Sequence, residues 1–505
     1  MTSESFGSKT RRFFTEPPRA AEIIAWLLIV AAIVGIRVYL AQLVPTILWS
    51  RDSGSYIGAP LRWMHGAGWE SDPRRGPIYS MLIAGCLAVW KNFNALMVAQ
   101  HVLGGLAILV GAILLRAMHT RRAIFVLALC AYAYAVYALP LLLEHLLRNE
   151  TLLFLFATLI MGSWYLALAR AQPHWLWVTG IAAALMQLTK SVFAPFPLVL
   201  VALHVWYFHP NRGLLARQLV IFLLAFALPM AGAKVHHQLT GHKRLPEPQS
   251  GILLYGRTAQ FTVLDGGIEP AVKKMIAQDV IAYRNLPKLN NNIVLKQTIV
   301  PKLTRYYREI GKTPSDLNTL CRRLAIEGIE AHKLAYARQV RNDLAILLFK
   351  SGSPVGSPNE NDVKGSESTL QSYTRPDPLM HKEESLQAHA TRKEKTHFSD
   401  YRHRTKEAWL FRAKPILLTT LLLPLFIFFI RDQRRVWWFG AAAMWLFTLA
   451  LLSTVGRPLD RYVLPVIPIA FWTLGSAAII AVNWLVDWCL ARAPQSRVAV
   501  PPQAV

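Results

Sequence analysis

Charge is scarce in this sequence. Asp, Glu, Lys and Arg make up 17% of its 505 residues, where a soluble domain carries roughly 25%. Acid is scarcer than base: 29 Asp and Glu stand against 55 Lys and Arg. Cysteine is nearly absent. The four, Cys86, Cys130, Cys321 and Cys489, show neither a disulfide framework nor metal-ligand spacing. No metal cluster is visible elsewhere, and no cofactor is expected. No internal repeat is evident. The first apolar run is too long for a signal-peptide core and has no convincing cleavage site. It reads as a retained helix whose basic tail, residues 1–19, lies in the cytoplasm.

Apolar residues fill the space left by charge, at 53% of the chain. Long apolar runs cover residues 20–48, 95–116, 123–143, 151–169, 175–188, 192–208, 219–234, 415–430, 436–455 and 462–488. Residues 77–90 form a shorter run, read as re-entrant or interfacial rather than spanning. The expected architecture is an all-α polytopic membrane protein with about 10–11 transmembrane helices. On a soluble chain, a net charge of +26 suggests nucleic acid. Here the basic residues collect in alternate short loops, where orientation and anionic lipid headgroups account for them better. No nucleic-acid partner is expected.

The same alternation divides the chain. Residues 20–235 form an N-terminal transmembrane module whose first outer loop is 49–76. Residues 236–412 form a large outer-face region, partly helical and partly disordered, with 351–405 as its flexible part. Thr313 is placed to cap a helix that Pro314 opens. Residues 413–490 return to the membrane, and 491–505 form a cytoplasmic tail.

The stretch that organises the rest follows the first apolar run: Arg51-Asp52-Ser53-Gly54-Ser55-Tyr56. Its sequel contains Glu70, Asp72, Arg74 and Arg75. A charged cluster at a membrane boundary raises a functional question. Under the expected topology the same outer face receives Glu144, Glu150, Lys190, Arg457, Asp460, Arg461 and Tyr462. Arg37, in the outer half of the first span, is either a snorkelling side chain or a phosphate ligand. Sugar transfer from a phospholipid needs such a set. A carboxylate takes the acceptor's proton, and cations stabilise the departing phosphate, Arg through its fork and Lys as a point charge. Each residue also has an ordinary structural reading. Asp52 and Glu150 are placed to cap helices, Arg74 and Arg75 to bind headgroups, and Lys190 to snorkel. The 456–462 segment reads equally as a turn with an internal ion pair.

Three runs carry a family resemblance. Asp52-Ser53-Gly54-Ser55-Tyr56, His65-Gly66 and Arg75-Gly76-Pro77-Ile78-Tyr79 resemble the first outer loop of GT-C type glycosyltransferases. The protein O-mannosyltransferases and the lipid A aminoarabinose transferase are the similar branch. The apolar helix from Gly180 to Thr189 and Lys190 is similar to a mid-chain pattern of that family. Arg457-Pro458-Leu459-Asp460-Arg461-Tyr462, continuing to Pro468, resembles its Arg-Tyr-x-x-Pro segment. Residues 20–230 and 412–490 are covered. Where the family carries an acidic pair after its first span, Asp52 is followed here by Ser53, leaving Glu70 or Asp72 as the second acid.

The resemblance implies a glycosyltransferase of the inner (plasma) membrane with its active site facing outward. It implies a polyprenyl-phosphate sugar donor, and a hexosyl or pentosyl group moved to a lipid, glycan or protein acceptor, in glycan biosynthesis. Asp52 is its implied base, and direct displacement makes the reaction inverting. Arg74, Arg75, Lys190, Arg457 and Arg461 are the donor-phosphate candidates. Tyr56, Glu70, Asp72, Glu150, Asp460 and Tyr462 are the other substrate-binding candidates. Two alternatives stand beside it: a transporter or flippase of lipid-linked glycans, and a surface-polysaccharide polymerase or ligase.

Overall fold

The structure, a computed structural model, describes residues 19–43, 47, 53–69, 75–90, 93–119, 124–135, 138–169, 172–208, 211–239, 250–285, 298–349, 438–443 and 466–492. Asp52, Glu70, Asp72, Arg74, Arg457, Asp460, Arg461 and Tyr462 lie outside the described residues. So do the expected span 415–430, most of 436–455, and the segment 351–405.

The described chain is helical, as the long apolar runs lead one to expect. Helix α1 is Arg19–Leu43. At 1.5 Å per residue, its 25 residues reach about 37 Å, enough to cross a hydrocarbon core of about 30 Å. Its buried positions Ala25, Ile29, Ile33, Arg37 and Leu40 form one stripe, while Ile23, Ile24, Leu27 and Leu28 are exposed. That is the pattern of a helix at the rim of a bundle, facing lipid on one side.

Two short helices follow, α2 (Gly54–Met64) and α3 (Pro77–Trp90), and then the long α4 (Phe93–Met118). Helix α4 runs antiparallel to α1. Arg116 Nε donates to Glu22 at one end, Arg37 Nε to the His101 carbonyl nearer the other, and the Ile47 amide to Asn94 at the loop. The chain therefore enters and leaves the 47–94 segment at the same end of the bundle. The segment containing α2 and α3 makes no net crossing, in keeping with the short length of the apolar run 77–90.

Within the expected span 123–143 the described residues form α5 (Ile124–Ala135) and α6 (Ala138–His145). Next come α7 (Glu150–Ala169), α8 (Trp175–Thr189), α9 (Phe196–Phe208) and α10 (Arg212–Leu239). Helix α7 is buried along almost its whole length and forms the centre of the bundle. The Ser163 and Thr179 hydroxyls, 2.8 Å apart, join α7 to α8, a polar contact suited to an apolar solvent. Near the C-terminus, α16 (Val466–Arg492) packs on α4, where Ser476 bonds His119. Five of these helices, α1, α4, α7, α10 and α16, are long and apolar enough to cross a membrane.

A second core lies beyond α10. It is built by α11 (Ser250–Thr258), α12 (Pro270–Asn285), α13 (Val300–Glu309) and α14 (Pro314–Ala331), with α15 (Lys333–Phe349) following. Tyr255, Ile276, Val280, Leu303, Leu320 and Leu324 are buried together there. Thr313 caps α14, with Pro314 in the first turn and Asp316 completing a reciprocal capping box, as the sequence leads one to expect. Asn318 accepts from the Gly251 and Ile252 amides, satisfying two of the unbonded donors at the start of α11.

Candidate functional site

Helix direction decides what meets at each end of the bundle. Glu22, Arg116 and His119 lie at the far end. The near end receives the starts of α2 and α7 and the ends of α6 and α8. Ser53 Oγ donates to the Leu147 carbonyl (3.1 Å), which joins the start of α2 to the α6–α7 loop. Asn149 Nδ2 donates to the Thr189 carbonyl (3.0 Å), joining that loop to the end of α8. Gly76 completes the junction. A Cβ there would collide with the Leu188 carbonyl, so only glycine lets the start of α3 lie against the end of α8.

Four of the expected site residues are described, and all four lie at this junction. Tyr56 is buried in α2, edge-on to Tyr79 at 5.0 Å between ring centroids. The Arg75 guanidinium lies 4.8 Å from the Tyr56 ring centroid, and it donates to Ser55 Oγ (2.8 Å) and the Tyr56 hydroxyl (3.3 Å). A guanidinium held over an aromatic face keeps its charge while its position is restricted. Lys190 follows the last residue of α8. Its ammonium is 3.5 Å from Glu150 Oε1, with side chains 17% and 5% exposed. Lys190 is thus partly buried and paired, where a snorkelling lysine would extend into the headgroups.

Glu150 opens α7, where a carboxylate complements the positive end of the helix. This is the structural role that its sequence position allows. Its second oxygen, Oε2, is buried with no hydrogen-bond partner among the described residues, and so are Asn149 Oδ1 and Thr151 Oγ1. Three neighbouring acceptors are left to be met by donors.

Arg37 and Glu144 do not face the headgroups. Both are buried, and Arg37 Nη2 donates to Glu144 Oε1 at 2.6 Å. The other Arg37 nitrogens donate to the Ile33 and His101 carbonyls. The reading of Arg37 as a phosphate ligand or snorkelling side chain therefore gives way to an internal ion pair. Its physical reason is Gly104, whose missing side chain leaves room for the Glu144 carboxylate.

Several residues at the junction were not singled out from sequence. Arg148 is buried beside the Asn149-Glu150 pair. Tyr79 donates to Gln100 Oε1 (2.6 Å), and Gln100 Nε2 donates to the carbonyls of Glu144 and Leu146. The available signal was a Gln-His pair inside an otherwise apolar helix. Among the described residues no three His, Cys, Asp or Glu side chains gather closely enough to hold a metal ion.

No protein-family model matches this sequence, and no curated protein sequence matches it either. Among solved structures, the chain is similar to the archaeal oligosaccharyltransferase AglB of Archaeoglobus fulgidus, solved with an inhibitory peptide and a dolichol-phosphate. The identity is 12% and the TM-score 0.41, over 93% of this chain and 52% of that one. It is also similar to ArnT of Cupriavidus metallidurans, at 15% identity. The apo form gives a TM-score of 0.34 over 86% of this chain and 78% of that one. The form bound to undecaprenyl phosphate gives 0.31 over 94% and 79%. The chain spans about half the length of the oligosaccharyltransferase. Overlaps this shallow assign no activity. What the apolar runs, the crossing helices and the buried contacts together establish is an all-α, multi-pass membrane protein.

Proposed function

We propose that this protein is a membrane glycosyltransferase that moves a sugar from a polyprenyl-phosphate-linked donor to an acceptor, at the near end of its helical bundle. The observation that carries the reading is the meeting of Arg75, Lys190, Tyr56 and Glu150 around the chain that continues directly from Asp52. These residues come from four separated parts of the sequence. Two cations suit a lipid phosphate, and the carboxylate and aromatic suit a sugar.

In this reading Asp52 takes the proton of the acceptor hydroxyl as its oxygen attacks the anomeric carbon. The bond from that carbon to the phosphate oxygen breaks, and the lipid phosphate leaves with the electron pair. Arg75 and Lys190 stabilise the charge that develops on it, with Arg74, Arg457 and Arg461 as further candidates. Direct displacement inverts the anomeric centre. Glu70, Asp72, Asp460 and Tyr462 complete the proposed substrate contacts. In this reading the basic residues of the far end favour the cytoplasmic side by the positive-inside bias, and the active site faces outward from the inner membrane. The acceptor is a lipid, glycan or protein hydroxyl.

The test is transfer from a polyprenyl-phosphate sugar by purified protein in liposomes. Asp52→Asn is expected to abolish transfer with insertion intact, and Lys190→Ala to lower it at least tenfold. Full turnover in Asp52→Asn overturns the base assignment.

A second reading, a transporter of lipid-linked glycans, draws on the buried Arg37–Glu144 pair, because ionisable residues inside spans often mark a translocation path. Counterflow of a fluorescent lipid-linked sugar, undiminished in Asp52→Asn, supports that reading over the enzyme.

A further inference from the structure

One polar network remains outside the chemistry proposed above. Glu144 Oε1 accepts from Arg37 Nη2 of α1 at 2.6 Å, and Glu144 Oε2 lies 2.8 Å from His101 Nδ1 of α4. A carboxylate can only accept, so His101 Nδ1 is the donor. The His145 ring stands edge-on to His101, with centroids 4.6 Å apart. The Glu144 backbone is held as well, because Gln100 Nε2 donates to its carbonyl (2.7 Å) and to that of Leu146 (2.9 Å). Tyr79 of α3 donates to Gln100 Oε1, which sets the orientation of the amide. Arg37, Gln100, His101, Glu144 and His145 are all buried.

Ionisable groups inside spanning helices are expensive, and an apolar set of similar volume often packs at least as stably. Stability alone is therefore a poor reason for this set. Its bonds to this part of the chain fall on the last turn of α6 and the first residue of the α6–α7 loop. That loop carries Arg148 and Asn149 to the junction, leads into Glu150 at the start of α7, and through Leu147 binds Ser53, the residue after Asp52. A loop in a helical protein has few backbone bonds of its own, so its position is set by what grips it. Here the grip comes from α1, α3 and α4 together.

We propose that Arg37, Glu144, His101 and Gln100 are positioning residues: they hold the end of α6 and the loop that leads into Glu150 in register with the segment that carries Asp52. The inference rests on the reading of this junction as the active site. It predicts a split between stability and register. Replacing Glu144 by Gln at nearly constant volume removes the charge that pairs with Arg37 and leaves the new amide to meet His101 only through the other imidazole tautomer, so the grip weakens.

The experiment introduces Ser53→Cys and Leu147→Cys together, in protein lacking the four native cysteines, and measures the rate of oxidative cross-linking. Binding of undecaprenyl phosphate to the same detergent-solubilised protein, with Ser53 and Leu147 native, is measured in parallel. Glu144→Gln is expected to slow cross-linking at least fivefold and to weaken binding, with an unchanged gel-filtration profile. The double variant Arg37→Met/Glu144→Met removes the pair without leaving a buried lone charge, and is expected to behave alike. Cross-linking at the original rate in both variants, each monodisperse, overturns the inference. Failure of the parent protein to bind undecaprenyl phosphate counts against the active-site reading, while the cross-linking rates still decide the register claim.

Discussion

At the scale of single residues, burial decides which groups can react. Cys321 lies in the second core with no exposed surface, and burial pushes its thiol from 9.0 up to about 12. Only the thiolate is nucleophilic, so Cys321 is expected to resist maleimide at pH 8 in folded protein and to label on denaturation. Mass spectrometry before and after urea checks this. The same shift makes stability depend on pH. With the folded value raised, the unfolded chain loses its proton first. The contribution is complete below about pH 9 and is lost as pH rises toward about 12. Cys321→Ala is expected to flatten the alkaline fall in melting temperature.

Gly76 shows the opposite constraint, a residue whose importance is steric. Its missing Cβ is the gap into which the Leu188 carbonyl fits. Gly76→Ala is expected to destabilise the protein by about 1–3 kcal/mol, the usual range for overpacking, and to displace Arg75. Detergent-phase melting and transfer activity would both fall. A variant with wild-type melting and activity would show that α3 and α8 tolerate separation. From sequence Gly76 was legible only as part of a motif, because the carbonyl it admits is more than a hundred positions away.

At the scale of elements, local signals were read well where both partners are close in sequence. The Thr313-Pro314 start of α14 is of this kind, since cap, proline and Asp316 lie within four residues. Thr313→Ala is expected to cost about 1 kcal/mol, seen as a lower melting point of the region around α11 to α14. An unchanged melt would mean that the cap is replaced by solvent. Partners are harder to read where they come from distant elements. A boundary lysine such as Lys190 looks the same in sequence whether it snorkels or pairs. Its partner Glu150 comes from another helix.

At the scale of the whole molecule, the antiparallel course of α1 and α4 puts α2, the α6–α7 loop and the end of α8 at one end. Arg116 in the last turn of α4, His119 just after it and Arg212 at the start of α10 lie at the other end. By the positive-inside bias that other end is expected to be cytoplasmic. Single cysteines at Ala67 and Gly213, both exposed, test this in a background without native cysteines. Ala67→Cys is expected to label from outside in intact cells, and Gly213→Cys only after permeabilisation. The reverse pattern would turn the proposed active site toward the cytoplasm.

The length and spacing of the apolar runs suffice for the class of molecule. Apolar runs long enough to cross a bilayer must form helices, because lipid offers no partner for backbone N–H and C=O groups. The sequence also marked out the polar stretches between runs, including those that hold Tyr56, Arg75, Glu150 and Lys190. Which polar groups face one another follows from the folded arrangement alone. It turned Arg37 inward onto Glu144, set Lys190 beside Glu150, and brought Gln100 and Tyr79 beneath the α6–α7 loop. The physical reason is that hydropathy acts on each residue alone. An ion pair or a close backbone approach exists only when distant segments meet, and small residues such as Gly76 and Gly104 govern how closely they do.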